Sequence, residues 1–466
     1  MQGHGRQRLG TSVTAADVVV AGAGLAGLAC AFELASTGRE VLVLEAREVV
    51  GGRTSSWDED GMLVESGLHR MLGVYRTMPE VLERAGVAMG EIVCWEDEVE
   101  IRLPDGGPDA VFGAAPLHNP VTTMTGLVAN NHLLSPIDKA RLAAFAAGGL
   151  RDYLLRPGWL DQRSVREYAR THGLPDRVVE RLLVPLTAGL FFLPPERYSA
   201  FVLFALLAQS LQRLPRLRIG AFTGPMTDVL AAPLAAAVQR AGGTVRTGTP
   251  VERLLVRAGR IVGVRAAGER LRAGHVVVAT SLAPAQRLLR RALGKHPWLE
   301  PLLRLPSMPV VTFQAELDRP ILPVDRTTFS PGTVLASYAE QSRTTFRHAP
   351  GRLSVICSPP EPLWEAPPEE VLATVLADAE RLGLDLAGTL QTYRVVRFAE
   401  DFISLAPGHA SLRPAQRTPI PGLTLAGDWT AQPFLATMEG AVVSGRRAAR
   451  VTLESEPGAA AEPRSG

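Results

Sequence analysis

Three glycines near the N-terminus have the spacing of a phosphate-binding turn. Gly22, Gly24 and Gly27 follow the apolar run of residues 17–21, which is typical of a buried strand, and they precede a stretch with helical spacing. In such a turn the first glycine permits a tight bend, the second lets the backbone approach a pyrophosphate, and the third lets helix and strand pack closely. Because free N–H groups at a helix start attract phosphate, the pattern predicts a dinucleotide site.

An acidic residue stands where the adenosine ribose of such a ligand would lie. Glu45 ends a second apolar run, 18 residues after Gly27. Its carboxylate can accept hydrogen bonds from both ribose hydroxyls and would repel a 2′-phosphate, which disfavours NADP. Strand, helix and strand together form a β-α-β unit of the expected length. We also expect cofactor contacts from residues inside or beside these two motifs, namely Ala23, Leu25, Ala26 and Ala46.

A Gly-Gly-Arg sequence after the second strand distinguishes between dinucleotides. Gly51, Gly52 and Arg53 are not part of an NAD fingerprint. They resemble a motif of the flavin-containing amine oxidase superfamily, in which this loop wraps FAD and the arginine faces the pyrophosphate. An always-charged, planar guanidinium suits that task. The resemblance implies FAD as the cofactor.

The C-terminal part of the chain contains a second, independent match to this superfamily. Residues 421–430 resemble its second flavin motif, which implies that Asp428, beside Gly427, holds the ribityl chain. The resemblance also implies that the N–H of Met438, at the start of the last helix, points at the pyrimidine edge of the flavin. A positive helix end at this edge favours the anionic reduced flavin. In the same way, the backbone of Val251 is an expected contact of the adenine.

Other segments are most similar to carotenoid desaturases, meaning phytoene and ζ-carotene desaturases. Residues 65–69 and 72–75 resemble their G-L-H…G-x-Y segment, and residues 434–445 resemble their closing motif. The resemblance implies FAD-dependent desaturation of a carotenoid precursor or related isoprenoid, with hydride transfer to flavin N5. It makes three further residues expected contacts of the cofactor, namely Leu68, His69 and Tyr75.

Three other activities stay open: a hydroxysqualene dehydroxylase-type triterpene flavoenzyme, a carotene isomerase, and a flavin amine oxidase. Amine oxidases generally use a lysine near flavin N5, in the strand that corresponds to residues 305–313. That stretch contains no lysine, and the whole chain has only Lys139 and Lys295. Ala436 and Thr437 occupy positions where amine oxidases tend to have an aromatic residue. Both departures disfavour an amine substrate.

The sequence does not identify a catalytic base. His69 is a weak candidate for the group that accepts the proton. We expect a hydrophobic isoprenoid substrate, with a quinone or O₂ as electron acceptor. The apolar residues between 182 and 214 are candidates for the lining of a substrate passage.

The elements that must position these residues indicate a mixed α/β fold. We expect a Rossmann-like FAD-binding domain, with an interleaved substrate domain of helices and antiparallel sheet. The predicted limits are 15–85, 220–285 and 395–454 for the FAD-binding domain, 86–219 and 286–394 for the substrate domain, and 1–14 and 455–466 for flexible tails.

Composition excludes several classes of protein. The chain is 46% hydrophobic and 21% charged, unlike a disordered protein or a coiled coil. Basic and acidic residues nearly balance at 49 and 47, unlike a nucleic-acid-binding protein. The nine histidines show no metal-binding spacing, and the three scattered cysteines indicate a reducing compartment. We expect a cytoplasmic enzyme without nucleic-acid partners or a metal ion, with peripheral association at the inner membrane face as an open alternative.

Overall fold

The computed structural model describes residues 15–107, 109–116, 118–120, 123, 130–131 and 133–455. The predicted tails lie outside the described residues, except for Ser455, which ends the last helix. No helix in the described part has the length and apolar character needed to cross a membrane.

The strands of the described residues are β1 Ala15–Ala21, β2 Val41–Leu44, β3 Ser56–Glu59, β4 Met62–Glu65, β5 Met71–Leu72, β6 Val93–Glu96, β7 Glu98–Ile101, β8 Ala110–Gly113, β9 Ile219–Phe222, β10 Thr244–Arg246, β11 Val251–Arg257, β12 Arg260–Ala266, β13 Glu269–Val278, β14 Ser307–Leu317, β15 Thr328–Phe329, β16 Leu335–Glu340, β17 Gly351–Cys357, β18 Leu390–Ile403 and β19 Leu423–Leu425.

The helices of the same residues are α1 Leu25–Ala35, α2 Thr77–Arg84, α3 Met89–Ile92, α4 Pro136–Leu155, α5 Pro157–Asp161, α6 Val165–Thr171, α7 Asp176–Val178, α8 Val184–Phe191, α9 Ala200–Gln212, α10 Ala232–Arg240, α11 Leu282–Leu293, α12 Leu299–Arg304, α13 Glu361–Trp364, α14 Pro368–Arg381 and α15 Met438–Glu454. Shorter helical turns are Gly52–Thr54, Leu214–Arg216 and Ala410–Leu412 of the 3₁₀ type, and Val179–Leu183 and Thr227–Ala231 of the π type.

The first large sheet collects strands from three separated stretches of the chain. Its order is β10-β2-β1-β13-β12-β11, and β19 pairs with β13. The five strands β1, β2, β10, β13 and β19 run parallel. The central strands are continuous apolar runs because both faces are covered, one by α1 and α10 and the other by α11. The prediction of a Rossmann-like α/β domain is confirmed.

The second large sheet has the order β18-β14-β17-β16-β15-β7-β8 and is antiparallel except between β15 and β7. Helix α14 packs its apolar face on this sheet. Residue 395, where the predicted FAD-binding domain resumes, falls inside β18, which pairs with β14 as far as Ile403. The chain returns to the first sheet with β19. The domain limits stay predictions.

The helices between β8 and β9 contain the apolar segment of residues 198–211. Within this segment, α9 is buried mainly in its first half, at Ala200 and Val202–Ala205. The second half is partly exposed, and Leu211 is 44% exposed. The sequence does not show that the two halves of α9 differ in exposure, because most positions in both halves are apolar.

Candidate functional site

The glycine turn between β1 and α1 leaves no room for side chains at two of its three glycines. Gly22 has φ of +109°, and a Cβ there would lie 2.8 Å from the carbonyl oxygen of Ala279. A Cβ on Gly27 would lie 1.9 Å from the carbonyl oxygen of Gly22, so only glycine lets α1 pack this closely. At Gly24 a Cβ would meet only the oxygen of Gly51, at 3.9 Å, and would project into the adjoining cavity.

The carboxylate of Glu45 is held at the end of β2 by backbone donors. Its Oε2 accepts a hydrogen bond from the N–H of Ala23 at 2.7 Å, and its Oε1 accepts one from Arg47 at 3.0 Å. Each carboxylate oxygen has a second lone pair, so acceptor capacity for a ribose remains. The residue is buried, but its side chain lines the cavity.

The N-terminal and C-terminal motifs meet directly. The Nη2 atom of Arg53 donates a hydrogen bond to Oδ1 of Asp428, across 375 positions of sequence. Burial alone would lower the pKa of the Arg53 guanidinium, but the charges of Asp428 and Asp401 and the hydrogen bond raise the pKa above its ordinary value. The arginine is therefore a permanent cation at this place.

A cavity of about 510 Å³ opens between these motifs. This volume lies within the range of cofactor and ligand sites, which is about 300–1,000 Å³. Twelve of the residues predicted to bind the cofactor line it: Gly22, Gly24, Leu25, Ala26, Glu45, Ala46, Gly52, Arg53, Val251, Gly427, Asp428 and Met438. The other five described candidates do not line it: Ala23, Gly27, Leu68, His69 and Tyr75. Their contact with a cofactor stays a prediction.

His69 holds the arginine loop in place. Its Nε2 lies 3.1 Å from the backbone oxygen of Arg53, which can only accept, so Nε2 donates. The hydroxyl of Ser66 donates to the same oxygen. The Nδ1 atom is buried without a hydrogen bond and lies 3.7 Å from Oε2 of Glu65. Since neither nitrogen faces the cavity, the geometry gives His69 a positioning contact, and its role as a base stays a prediction.

Tyr75 packs behind the site rather than in it. Its ring contacts Phe434 edge to face, with 6.0 Å between centroids, and burial and the charge of Glu439 raise its pKa above the ordinary value. Glu439 in turn accepts hydrogen bonds from the N–H groups of Arg76, Thr77 and Met78 at 2.7–3.0 Å. The carboxylate thus stabilises the start of α2, which explains the glutamate of the closing motif.

Sequence reasoning missed one buried cation, Arg413. Its Nη1 donates to the backbone oxygen of Asp428 at 2.9 Å, and its side chain lies near Asp161 and Tyr198. Burial lowers the pKa of Arg413 to about 10, although those acidic groups oppose the shift. No local motif marks this arginine, because only the tertiary fold brings it to the Asp428 loop. Cavity residues that were also missed are Ser281, Arg287, Arg291 and Asp401.

Two helices direct their N-terminal ends at the cavity. Leu25 begins α1 and Met438 begins α15, and both line the cavity. The hydroxyl of Thr437 accepts a hydrogen bond from the N–H of Gly440 at 3.1 Å. The N–H groups of Met438 and Glu439, the first two of α15, have no carbonyl partner within the helix because of their position. Two positive helix ends at one cavity favour a ligand that carries two electron-rich groups, one near each helix end.

The donor set therefore fits a flavin dinucleotide. Gly24 gives backbone access, Arg53 offers a fixed cation, and the start of α15 offers N–H groups to the electron-rich edge of a flavin. When bound, FAD would supply the hydride-accepting chemistry. Within the described residues, no three His, Cys, Asp or Glu side chains form a group that could hold a metal ion.

Neither lysine lies at this cavity. Lys139, on α4, donates to Oδ1 of Asn131 at 2.8 Å, and Lys295 is exposed after α11. Strand β14 contains no lysine, and the Oγ1 atom of its Thr312 is buried without a hydrogen-bond partner among the described residues. Ala436 and Thr437 line the cavity where the resemblance would allow an aromatic wall.

Comparisons with known proteins agree with this arrangement. Residues 25–453 match the family described as flavin containing amine oxidoreductase. The chain is 29% identical to the 15-cis-phytoene desaturase of Synechococcus elongatus, over 94% of this chain and 95% of that protein. It is 26% identical to the probable zeta-carotene desaturase of the same organism, over 94% and 99% of the two chains. The structure of cyclohexylamine oxidase from Brevibacterium oxydans superposes with a TM-score of 0.70 at 19% identity, over 94% and 99%, which is a similarity of fold.

Proposed function

The chain belongs to the flavin-containing amine oxidoreductase family and is an FAD-dependent oxidoreductase, and from that premise we propose that it desaturates a carotenoid precursor of the phytoene or ζ-carotene type, or a related isoprenoid. The observation that carries the proposal is the similarity to carotenoid desaturases along 94% of the chain. In the proposed reaction a saturated C–C unit gives a hydride to flavin N5 and a proton to a nearby acceptor, so a C=C bond forms. A quinone or O₂ is the proposed acceptor of the two electrons.

Aromatic side chains packed beside Arg53 are compatible with this substrate class. Phe192, at the end of α8, contacts Phe402 of β18 with 5.4 Å between ring centroids. The Phe402 ring lies 5.9 Å from Cζ of Arg53. Aromatic side chains thus connect the helical region with an arginine of the cavity wall. An apolar wall of this kind would suit a hydrocarbon, because it offers few polar groups that would need partners.

The distribution of lysine argues against the amine oxidase alternative. Strand β14 contains no lysine, and both lysines of the chain lie away from the cavity. The cavity therefore lacks the lysine that amine oxidases generally use. A triterpene dehydroxylase and a carotene isomerase would share the same cavity, so they must be separated by experiment.

The test is anaerobic mixing of the FAD-loaded protein with detergent-dispersed 15-cis-phytoene. We expect the visible flavin band to bleach, and to return when a benzoquinone is added, while chromatography shows a product with more conjugated double bonds. A parallel arm offers hydroxysqualene to protein whose flavin has first been reduced with dithionite, because dehydroxylation consumes two electrons. The reduced protein is also mixed with carotenes to detect isomerisation, and a further arm offers putrescine and cyclohexylamine to the oxidised protein.

Each alternative has its own outcome. Bleaching by amines with every polyene inert would contradict the desaturase proposal. A changed ratio of carotene isomers without net oxidation would indicate the isomerase, and a reduced triterpene product would indicate the dehydroxylase. We further propose that the enzyme is cytoplasmic and works at the inner face of the membrane, because its proposed substrate and acceptor dissolve in lipid.

A further inference from the structure

A second cavity, of about 900 Å³, lies on the other side of Tyr75. Its floor includes Met71, Tyr75, Met89 and Trp95, which are apolar or aromatic. Gly73 also lines it and allows a close backbone approach, since a Cβ there would lie 2.1 Å from the oxygen of Arg216. The G-x-Y segment of the sequence therefore belongs to the wall of this cavity.

Four arginines face this cavity, and only Arg76 forms an ion pair with a described residue. Arg213 donates to the backbone oxygens of Val74 and Tyr75 at 3.2 and 2.6 Å. Arg76 is bound to Glu80 at 2.9 Å. The side chains of Arg216 and Arg218 make no ion pair with any described residue; Arg218 stacks on Trp95, with 3.8 Å between Cζ and the ring centroid.

The described carboxylates around the cavity do not form ion pairs with Arg216 or Arg218. On α2, Glu80 is already engaged by Arg76 and by Arg446, which leaves Glu83 as the acidic group of that wall. Asp97 acts on Arg218 only through its charge, and burial lowers the pKa of the Arg218 guanidinium below its ordinary value. A partly buried cation without a partner gains stability from a bound anion.

The same segment exposes apolar side chains beside the arginines. Leu211 and Leu214 are 44% and 43% exposed, and they alternate with Arg213 and Arg216 between α9 and β9. Exposed leucines next to unpaired arginines are the features that bind a lipid surface: apolar groups enter the acyl boundary and guanidinium groups bind phosphates.

We propose that this cavity binds the phosphodiester headgroup of an anionic phospholipid through Arg216 and Arg218, with Leu211 and Leu214 inserted into the lipid surface. The proposal rests on the proposed lipid-dissolved substrate and gives that enzyme a defined membrane-facing side. A guanidinium pair can bind two oxygens of one phosphate, which a single exposed arginine does less well.

The test is co-sedimentation of the FAD-loaded protein with vesicles. One set contains phosphatidylcholine alone, and the other contains equal parts of phosphatidylcholine and phosphatidylglycerol. We expect binding to the anionic set, weakened by salt, and a loss of about thirtyfold in affinity for the double variant Arg216→Gln/Arg218→Gln. A second variant, Leu211→Ser/Leu214→Ser, should also bind more weakly.

A matched control distinguishes binding at this site from nonspecific attraction between the protein's positive charges and the vesicle. Arg270→Gln/Arg272→Gln removes two exposed arginines with the same spacing from β13, and it should bind as the wild type does. Equal losses in both arginine variants, or wild-type binding by Arg216→Gln/Arg218→Gln, would overturn the proposal. Retained FAD absorbance and circular dichroism would show that the variants are folded.

Soluble phosphate provides the remaining arm. If inorganic phosphate or glycerol 3-phosphate binds at Arg216 and Arg218 while the protein does not bind anionic vesicles, the ligand is a free phosphate and the lipid proposal fails. Vesicle binding needs no turnover, so its failure would leave the desaturase proposal intact. Failure of desaturation in detergent, with vesicle binding retained, would overturn only the proposed function.

Discussion

At the residue scale, the contact between Arg53 and Asp428 joins the two ends of the sequence at one point of the cavity. Asp428 is buried, whereas the Arg53 side chain is 31% exposed. Arg413 binds the backbone of the same aspartate from the other side. Asp428 is therefore held between two guanidinium groups, one permanently charged and one with a pKa lowered to about 10 by burial.

We expect Asp428→Ala to lower the free energy of unfolding by about 2 kcal/mol. Removing one partner of a buried pair costs about 3–5 kcal/mol, and solvent around the partly exposed Arg53 screens part of that cost. FAD should also dissociate more readily from the variant. Urea unfolding of the FAD-free protein and FAD retention on gel filtration measure the two effects.

Asp401→Asn is the control, because Asp401 lines the same cavity but accepts its hydrogen bond from Ser281 instead of Arg53. The loss in free energy of unfolding should be less than half as large for Asp401→Asn as for Asp428→Ala. Equal stability of Asp428→Ala and the wild type would show that the ion pair contributes nothing.

His275 gives a second prediction at this scale, because it links β13 to β19. Its Nε2 lies 2.7 Å from Oγ1 of Thr424, and burial, aided by the charge of Arg260, lowers its pKa from 6.5 to about 4. The folded state keeps the ring neutral, while the unfolded chain takes up a proton below about pH 6.5. Stability is therefore complete above that pH, and falls by roughly 1.4 kcal/mol per pH unit between 6.5 and 4.

Urea unfolding at about pH 7.5 and about pH 5.5 measures this loss. His275→Gln should be less stable at the higher pH but should lose about 1.4 kcal/mol less than the wild type on acidification. His348→Gln, at an exposed position, should keep the wild-type slope. An unchanged slope in His275→Gln would mean that other groups cause the acid sensitivity.

At the element scale, the closing helix α15 depends on close packing with α1. A Cβ on Gly445 would lie 2.2 Å from the backbone oxygen of Ala26, and one on Gly27 would lie 1.9 Å from that of Gly22. The two helices also present their N-terminal ends to the cofactor cavity. Their spacing therefore sets the distance between the two positive ends.

We expect Gly445→Ala to destabilise the protein by about 1–3 kcal/mol, because a helix backbone must move to admit the methyl group. FAD affinity should fall at the same time, since α1 carries the glycine turn. Gly158→Ala is the matched control, with nothing within 4 Å of its added Cβ. Thermal unfolding and fluorescence titration with FAD measure both. A stable Gly445→Ala variant with full FAD affinity would contradict the packing argument.

At the scale of the whole molecule, the sequence predicted what local chemistry determines. Gly22 and Gly27 could be assigned because a tight turn and close helix packing demand glycine wherever they occur. The interleaved architecture followed from two flavin motifs at opposite ends of the chain. The length of β18, which contains residue 395, depends on its pairing with β14, and no local sequence pattern encodes that pairing.

Other features of the site arise only from tertiary contacts. Arg413 reaches Asp428 through the fold, and Glu439 stabilises a helix that lies more than 350 positions away. The second cavity unites Gly73 and Tyr75 with Arg216 and Arg218, which the sequence separates widely. A single sequence cannot reveal such partners, because an arginine or a glutamate can bind many different groups and only the folded chain determines which one lies nearby.

The cofactor cavity is lined by residues from all three stretches predicted for the FAD-binding domain, so FAD should couple their stabilities. Ligand binding to the folded state adds about 2.7 kcal/mol when the free ligand is a hundred times its dissociation constant. We expect hydrogen exchange to slow together in α1, in the turn Gly52–Thr54, and in β19 with the start of α15 when FAD is added. Strands β16 and β17, which do not line the cavity, should change less and serve as the internal control. Protection confined to α1 would mean that the C-terminal motif does not share in binding, and uniform protection of both sheets would mean that the two domains unfold as one unit.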